Sequence, residues 1–161
     1  MVEVDRVGTF VEQWRRERPD LDPSPMAVIG RMRRVSDDFS AALVENYRRY
    51  GIGEGEFDVL CALRRAGAPF ALNQGDLAEH TMVTAGATSK RVDRLESAGL
   101  VSRHLQADDG RGRVVTLSPQ GRRLIDEAYP EHLQLEEQLL SPLSRNERTQ
   151  LEALLRKLVG G

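Results

Sequence analysis

Apolar positions fall at helical spacing toward both ends of this chain, with a mixed segment between. Val7, Phe10, Val11 and Trp14 recur at i, i+3, i+4 and i+7, which predicts a first helix over Val4–Glu17 with one apolar stripe. The segment PDLDPSP, from Pro19 to Pro25, breaks it. A long helix is predicted from Met26 to Tyr50, stopped near Gly51. Glu56–Ala66 is helical again and ends at Gly67 and Pro69. Asn73 reads as the N-cap of a short helix reaching His80, and Thr84 as the cap of the next. That helix ends at Gly99, where Leu100 follows in the manner of a left-handed C-cap.

The periodicity then changes. Val101–Leu105 and Val114–Leu117 read as short strands. Between them lies a polar, glycine-rich loop, residues 107–113, that carries arginines. Ser118-Pro119 is an N-cap with proline at the first helical position. A helix is predicted from there to Leu140, with a kink or local break at Pro130. Ser144 and Glu147 form a capping box that opens a last helix, with Leu151, Leu154, Leu155 and Leu158 on one face.

Composition narrows the class. A chain of 161 residues buries one good core. No apolar run approaches the roughly 18 residues of a membrane helix, so no membrane partner is expected. The N-terminus lacks a signal peptide's apolar core. The single cysteine, Cys61, fits a reducing cytoplasm, and its apolar neighbours predict an inert thiol. His80, His104 and His132 show no metal-ligand spacing, and no cofactor is implied. No nucleophile elbow, phosphate loop or HExxH appears, which argues against an enzyme. Net charge is −2, so nucleic-acid binding needs a local patch. Lys90, Arg91, Arg94, Arg103, Arg111 and Arg113 supply one.

A helix followed by a basic hairpin is the layout of a winged helix-turn-helix, mainly α with a small β-wing. On a helical wheel Thr84, Thr88, Val92 and Leu95 share the core side, while Gly86, Lys90, Asp93, Arg94 and Ser97 face away. Thr84, Ala85, Gly86, Ser89, Lys90 and Arg94 are the candidate contacts of the helix to double-stranded DNA. Small residues allow close approach, and Ser89 and Lys90 can donate to base edges. Arg111 and Arg113, at the hairpin, suit a narrow minor groove, with Asp109 placed to hold Arg111. The rival reading is a winged-helix protein-interaction module, which an arginine-poor wing would favour.

The terminal helices carry apolar faces that need a partner surface, and a homodimer on a pseudo-palindrome is the expected form. The expected division is residues 1–50 for dimerisation and ligand binding, 51–118 for DNA, and 119–161 for dimerisation.

The wing segment resembles the signature of the MarR family of bacterial transcription regulators: Asp109-x-Arg111, then Val115-x-Leu117-Ser118-x-x-Gly121. Ser118 stands where that family usually has threonine. The resemblance covers essentially the whole chain and implies a dimer of winged helix-turn-helix lobes whose repression a ligand relieves. A narrower resemblance joins Gln13–Asp20, Gly55–Leu60 and Arg91–Glu96 to the urate-responsive subfamily (HucR/PecS/MftR-like), which has an extra N-terminal helix with a tryptophan. It implies that Trp14, Asp58, Arg91 and Arg103 bind the ligand, urate or a similar small anion. Lys90 departs from the subfamily's asparagine, and Thr88 is smaller than usual. Trans-aconitate-responsive relatives share much of the pattern, and phenolic acids are a further alternative.

Asp58 sits in Phe57–Leu63, a run apolar nearly all round, which predicts burial and a cationic partner. Arg103 is the expected partner. A structural salt bridge for Asp58, and a core or interface role for Trp14, are the plainer alternatives.

Overall fold

The computed structural model describes residues 5–81, 85–105 and 113–160, without the side chains of 85–87. The chain divides into two compact units, residues 1–42 and 43–161.

In the first unit, α1 (Arg6–Glu17) is capped by Asp5, whose carboxylate accepts from the Gly8 N–H at 3.2 Å. Val7 and Val11 are buried, but Phe10 and Trp14 on the same stripe are exposed. The long helix α2 (Ser24–Arg48) begins two residues before the predicted start, because Asp22 accepts from the Ser24 N–H at 2.9 Å and so tolerates Pro25 in the first turn. Gly30 of α2 lies against Val7 of α1, where a Cβ would come within 2.9 Å of a methyl group, and Arg31 pairs with Asp5. Val28, Ile29, Met32 and Val35 are exposed.

The second unit takes the end of α2 and the rest of the chain. Its elements are α3 (Glu54–Arg65), β1 (Ala71–Asn73), α4 (Gln74–Glu79), α5 (Ala85–Ser97), β2 (Val101–Leu105), β3 (Arg113–Leu117), α6 (Pro119–Leu139) and α7 (Arg145–Val159). Helix α3 starts two residues earlier than its pattern predicts, since the Glu56 carboxylate reaches back to the Gly53 N–H at 3.0 Å. Leu60, Leu63, Leu77, Leu95, Val92, Val115 and Ile125 are sealed from solvent, so α3, α4, α5, β3 and α6 share one core.

Strand β1 is not legible in the sequence. The sheet is antiparallel in the order β1-β3-β2, with Ala71 opposite Thr116 and Arg103 opposite Val115. Helix α6 continues unbroken through Pro130, so of the expected kink or break there is no break. Ile125 and Ala128, just before the proline, are buried and hold that stretch on the core. Helix α7 opens on the Ser144–Glu147 capping box and ends at Gly160, where φ is 82°. It buries no residue.

Candidate functional site

Helix α5 presents the two faces its spacing predicts. Thr88, Val92 and Leu95 are buried, while Lys90, Asp93, Arg94 and Ser97 are exposed. The Ser89 hydroxyl accepts from Gln74 Nε2 at 3.2 Å, which ties α5 to the start of α4. Thr84 lies outside the described residues, as do the side chains of Ala85 and, two positions on, residue 87; Gly86 is in the first turn of the helix.

Two members of the sequence's basic patch, Arg94 and Arg103, form ion pairs inside the fold. Arg94 stays 75% exposed along its side chain, yet its Nη1 lies 3.2 Å from Glu56 Oε1. Glu56 therefore serves two ends: one oxygen caps α3 and the other anchors the outer face of α5. Sequence reasoning missed this residue; a glutamate at the third position of a helix was the available signal.

Arg103 is held more firmly. Its Nε and Nη2 donate to Glu96 Oε2 at 2.9 and 2.6 Å, and its backbone N–H donates to Glu96 Oε1 at 3.0 Å. Nη2 also meets Asp93 Oδ1 at 2.6 Å. Both carboxylates come from α5, in the place the sequence gives to Asp58. Hydrogen bonds donated by Arg103 hold the Glu96 carboxyl below its ordinary value, and donating them to Glu96 raises Arg103 in turn. Glu96, His104, Leu105 and Arg113 surround the same depression beside Arg103. Arg113 opens β3, one residue before the predicted strand start, and is exposed. Arg111 and Asp109 lie outside the described residues.

Asp58 is half-buried, less enclosed than the apolar run around it predicts. One helical turn before it, Gly55 makes room for Arg91. A Cβ on Gly55 would lie 2.0 Å from Arg91 Nε, so the guanidinium rests directly on the α3 backbone. Arg91 Nη1 is buried there and has no hydrogen-bond partner among the described residues. Trp14, in the other unit, shares a cleft with Arg18, Leu21, Asp22, Pro23 and Met26.

Elsewhere, Cys61 is buried, and loss of solvent pushes its thiol up to about 12. It lines a cleft of about 380 Å³ between α3 and α6, with Arg65, Ile125 and Tyr129 on the walls. Tyr47, Phe57 and His132 form an aromatic group in which the Tyr47 hydroxyl lies 3.1 Å from His132 Nδ1. Among the described residues no cluster of His, Cys, Asp and Glu suits a metal ion, and no helix is long and apolar enough to cross a membrane.

A helix packed by Thr88, Val92 and Leu95, with a two-stranded hairpin clamped to its end, is a winged reading head. Residues 50–112 match the family model described as the MarR family. The HTH-type transcriptional regulator PecS of Dickeya dadantii is 41% identical over 149 residues, covering 92% of this chain and 90% of PecS. The chain belongs to the MarR family. As a MarR-family protein it is a DNA-binding transcriptional regulator and not an enzyme. Solved MarR-family structures share its fold. A cysteine-to-serine mutant of MarR from E. coli, complexed with operator DNA, superposes with a TM-score of 0.73 at 26% identity, covering 90% of this chain and 96% of that one. BpsR of Bordetella bronchiseptica, whose DNA binding is regulated by 6-hydroxynicotinic acid, gives 0.73 at 28% identity, covering 82% and 98%.

Proposed function

We propose that this MarR-family regulator is a cytoplasmic homodimeric repressor, bound to a pseudo-palindromic operator and released by a small planar anion such as urate. The observation that carries the ligand reading is Arg91. Its guanidinium lies against Gly55, and its Nη1 is buried without a hydrogen-bond partner among the described residues. A buried cationic N–H left unpaired is costly, and an anion arriving there supplies the missing acceptor. Asp58, one turn along α3 from Gly55, sets the local charge that such an anion meets. Arg103 joins the site at the cost of its hold on Glu96 and Asp93. Trp14 offers a half-exposed indole face for stacking, and its part rests on the resemblance to the urate-responsive subfamily.

In this reading residues 51–118 bind DNA and carry Asp58, Arg91 and Arg103, 1–50 serve dimerisation and carry Trp14, and 119–161 pair the protomers. Thr84, Ala85, Gly86, Ser89, Lys90 and Arg94 meet the major groove, and Arg111 and Arg113 the minor groove. The regulation of BpsR by 6-hydroxynicotinic acid, another planar heterocyclic acid, favours this ligand class over trans-aconitate. The test is to select duplexes from a random pool with the wild-type protein and then titrate urate into the complex at fixed salt. Release by urate supports the whole reading. Retention with urate and release by a different organic acid moves the effector. Retention against every organic acid tried removes the small-anion effector and leaves a DNA-binding regulator controlled in another way.

A further inference from the structure

We infer that Glu96 is a positioning residue for DNA binding, fixing the wing to the reading helix through Arg103.

Three observations meet at this joint. The first is the turn: Gly99, with φ at 71°, reverses the chain after α5, and the Leu100 N–H returns to the Leu95 carbonyl at 2.9 Å. Strand β2 therefore leaves in a defined direction. The second is the number of bonds one carboxylate makes. Glu96 takes both the backbone N–H and the guanidinium of Arg103, so it fixes the strand and its side chain together. The third is enclosure. The Arg103 side chain is 15% exposed, and of its two carboxylates Glu96 is 38% and Asp93 57% exposed. Charge-assisted bonds withdrawn from water are stronger than those at a solvated surface. Glu96 is thus the firmer of the two anchors.

The joint lies at the base of the hairpin. Arg103 is opposite Val115, which is sealed in the core, and Leu105 is opposite Arg113, the first described residue after the tip. A small rotation of β2 at Arg103 is carried outward along the paired strands to Arg113. Glu96 is committed to Arg103 through both of its oxygens, so its effect on DNA passes through the wing. This inference rests on the proposal that Arg111 and Arg113 meet DNA.

The test is a double-mutant cycle in the full chain, using a duplex selected by the wild type. The variants are E96Q, R111A and the pair. Glutamine keeps the size of the side chain but sets an amide where the carboxylate met the guanidinium. E96Q is expected to weaken binding about tenfold, the loss of one bond to a charged group. It is also expected to lower the slope of log affinity against log salt by about 0.9 for each phosphate the wing no longer neutralises. Added to R111A it is expected to do little more, since both act on the same wing–DNA interaction. Thermal melting of E96Q within a few degrees of wild type accompanies that result. Additive losses with an unchanged salt slope overturn the role of Glu96 while leaving the wing's role in DNA binding standing. An R111A protein that binds as wild type overturns the wing's role and that of Glu96 with it.

Discussion

Gly121 lies so close to Leu100 that a Cβ on it would stand 2.0 Å from the Leu100 carbonyl oxygen. The same carbonyl accepts the Ser118 N–H at 3.0 Å, and the Ser118 hydroxyl bridges the Gly99 carbonyl and the Gly121 N–H at 2.7 and 2.9 Å. The end of the reading helix and the start of α6 are thus joined backbone to backbone. G121A has no flexible neighbour to displace. It is expected to cost about 3 kcal/mol, as overpacking does, and to lower the melting temperature by roughly 6–12 °C for a chain this size. Calorimetry of the variant checks this.

A second glycine separates ligand binding from stability. Gly55 faces a movable side chain, since the nearest atoms to an added Cβ belong to the Arg91 guanidinium. G55A is expected to push Arg91 aside and reduce the urate response at least tenfold, about the weight of one charged hydrogen bond. Melting is expected to change little, because the alanine improves helix propensity. Titration calorimetry with urate, run beside a melt, distinguishes this from general damage. An unaltered urate isotherm removes Arg91 from the effector site.

The helical faces were legible because they repeat over several turns. Thr88, Val92 and Leu95 fall on one side at a 3.6-residue period, and all three are buried. Strand β1 was not legible: three residues are too short to show alternation, and Ala71–Asn73 becomes a strand only because β3 offers it a free edge. The partner of Arg103 was hidden for a related reason. The five residues of β2 do not alternate cleanly, so they do not reveal which way the arginine points. Glu96 lies across the turn at Gly99, a contact that only the folded joint creates. Asp58 shows the opposite limit, since an apolar neighbourhood in sequence left it half-buried in space. The family's wing signature marked Gly121 without its cause, which is the approach of Leu100.

Cys61 sets a pH dependence. Burial pushes its thiol up from 9.0 to about 12. Between those values the unfolded chain has released the proton and the folded chain still holds it. Stability contributed by Cys61 is therefore full below pH 9 and falls as pH rises toward 12. Urea denaturation of wild type and C61A across that range is expected to converge as pH rises, because alanine lacks the titrating group. Parallel curves would exclude the thiol as the source. Thiol reagents at about pH 8 are expected to react slowly with the native protein and promptly in urea.

Helix α7 carries its leucines outward, Leu154 at 59% and Leu158 at 66% exposure. Its N-terminal capping box keeps the helix formed. L154E together with L158E is therefore expected to leave helicity by circular dichroism near wild type. Sedimentation is expected to shift from dimer to monomer, and operator binding to fall with it, because a single lobe reads one half-site. A double variant that still sediments as a dimer would move the pairing surface away from α7.

The backbone bond from Arg103 to Glu96 has a consequence for how copies of this protein behave in a crowded cell. Strand β2 is an outer strand of the sheet, and an outer strand can recruit another chain through its unpaired N–H groups. At Arg103 that donor is already taken by a carboxylate from the neighbouring helix. A foreign strand arriving there meets a negative charge and an occupied amide, which discourages aggregation along the edge of the wing.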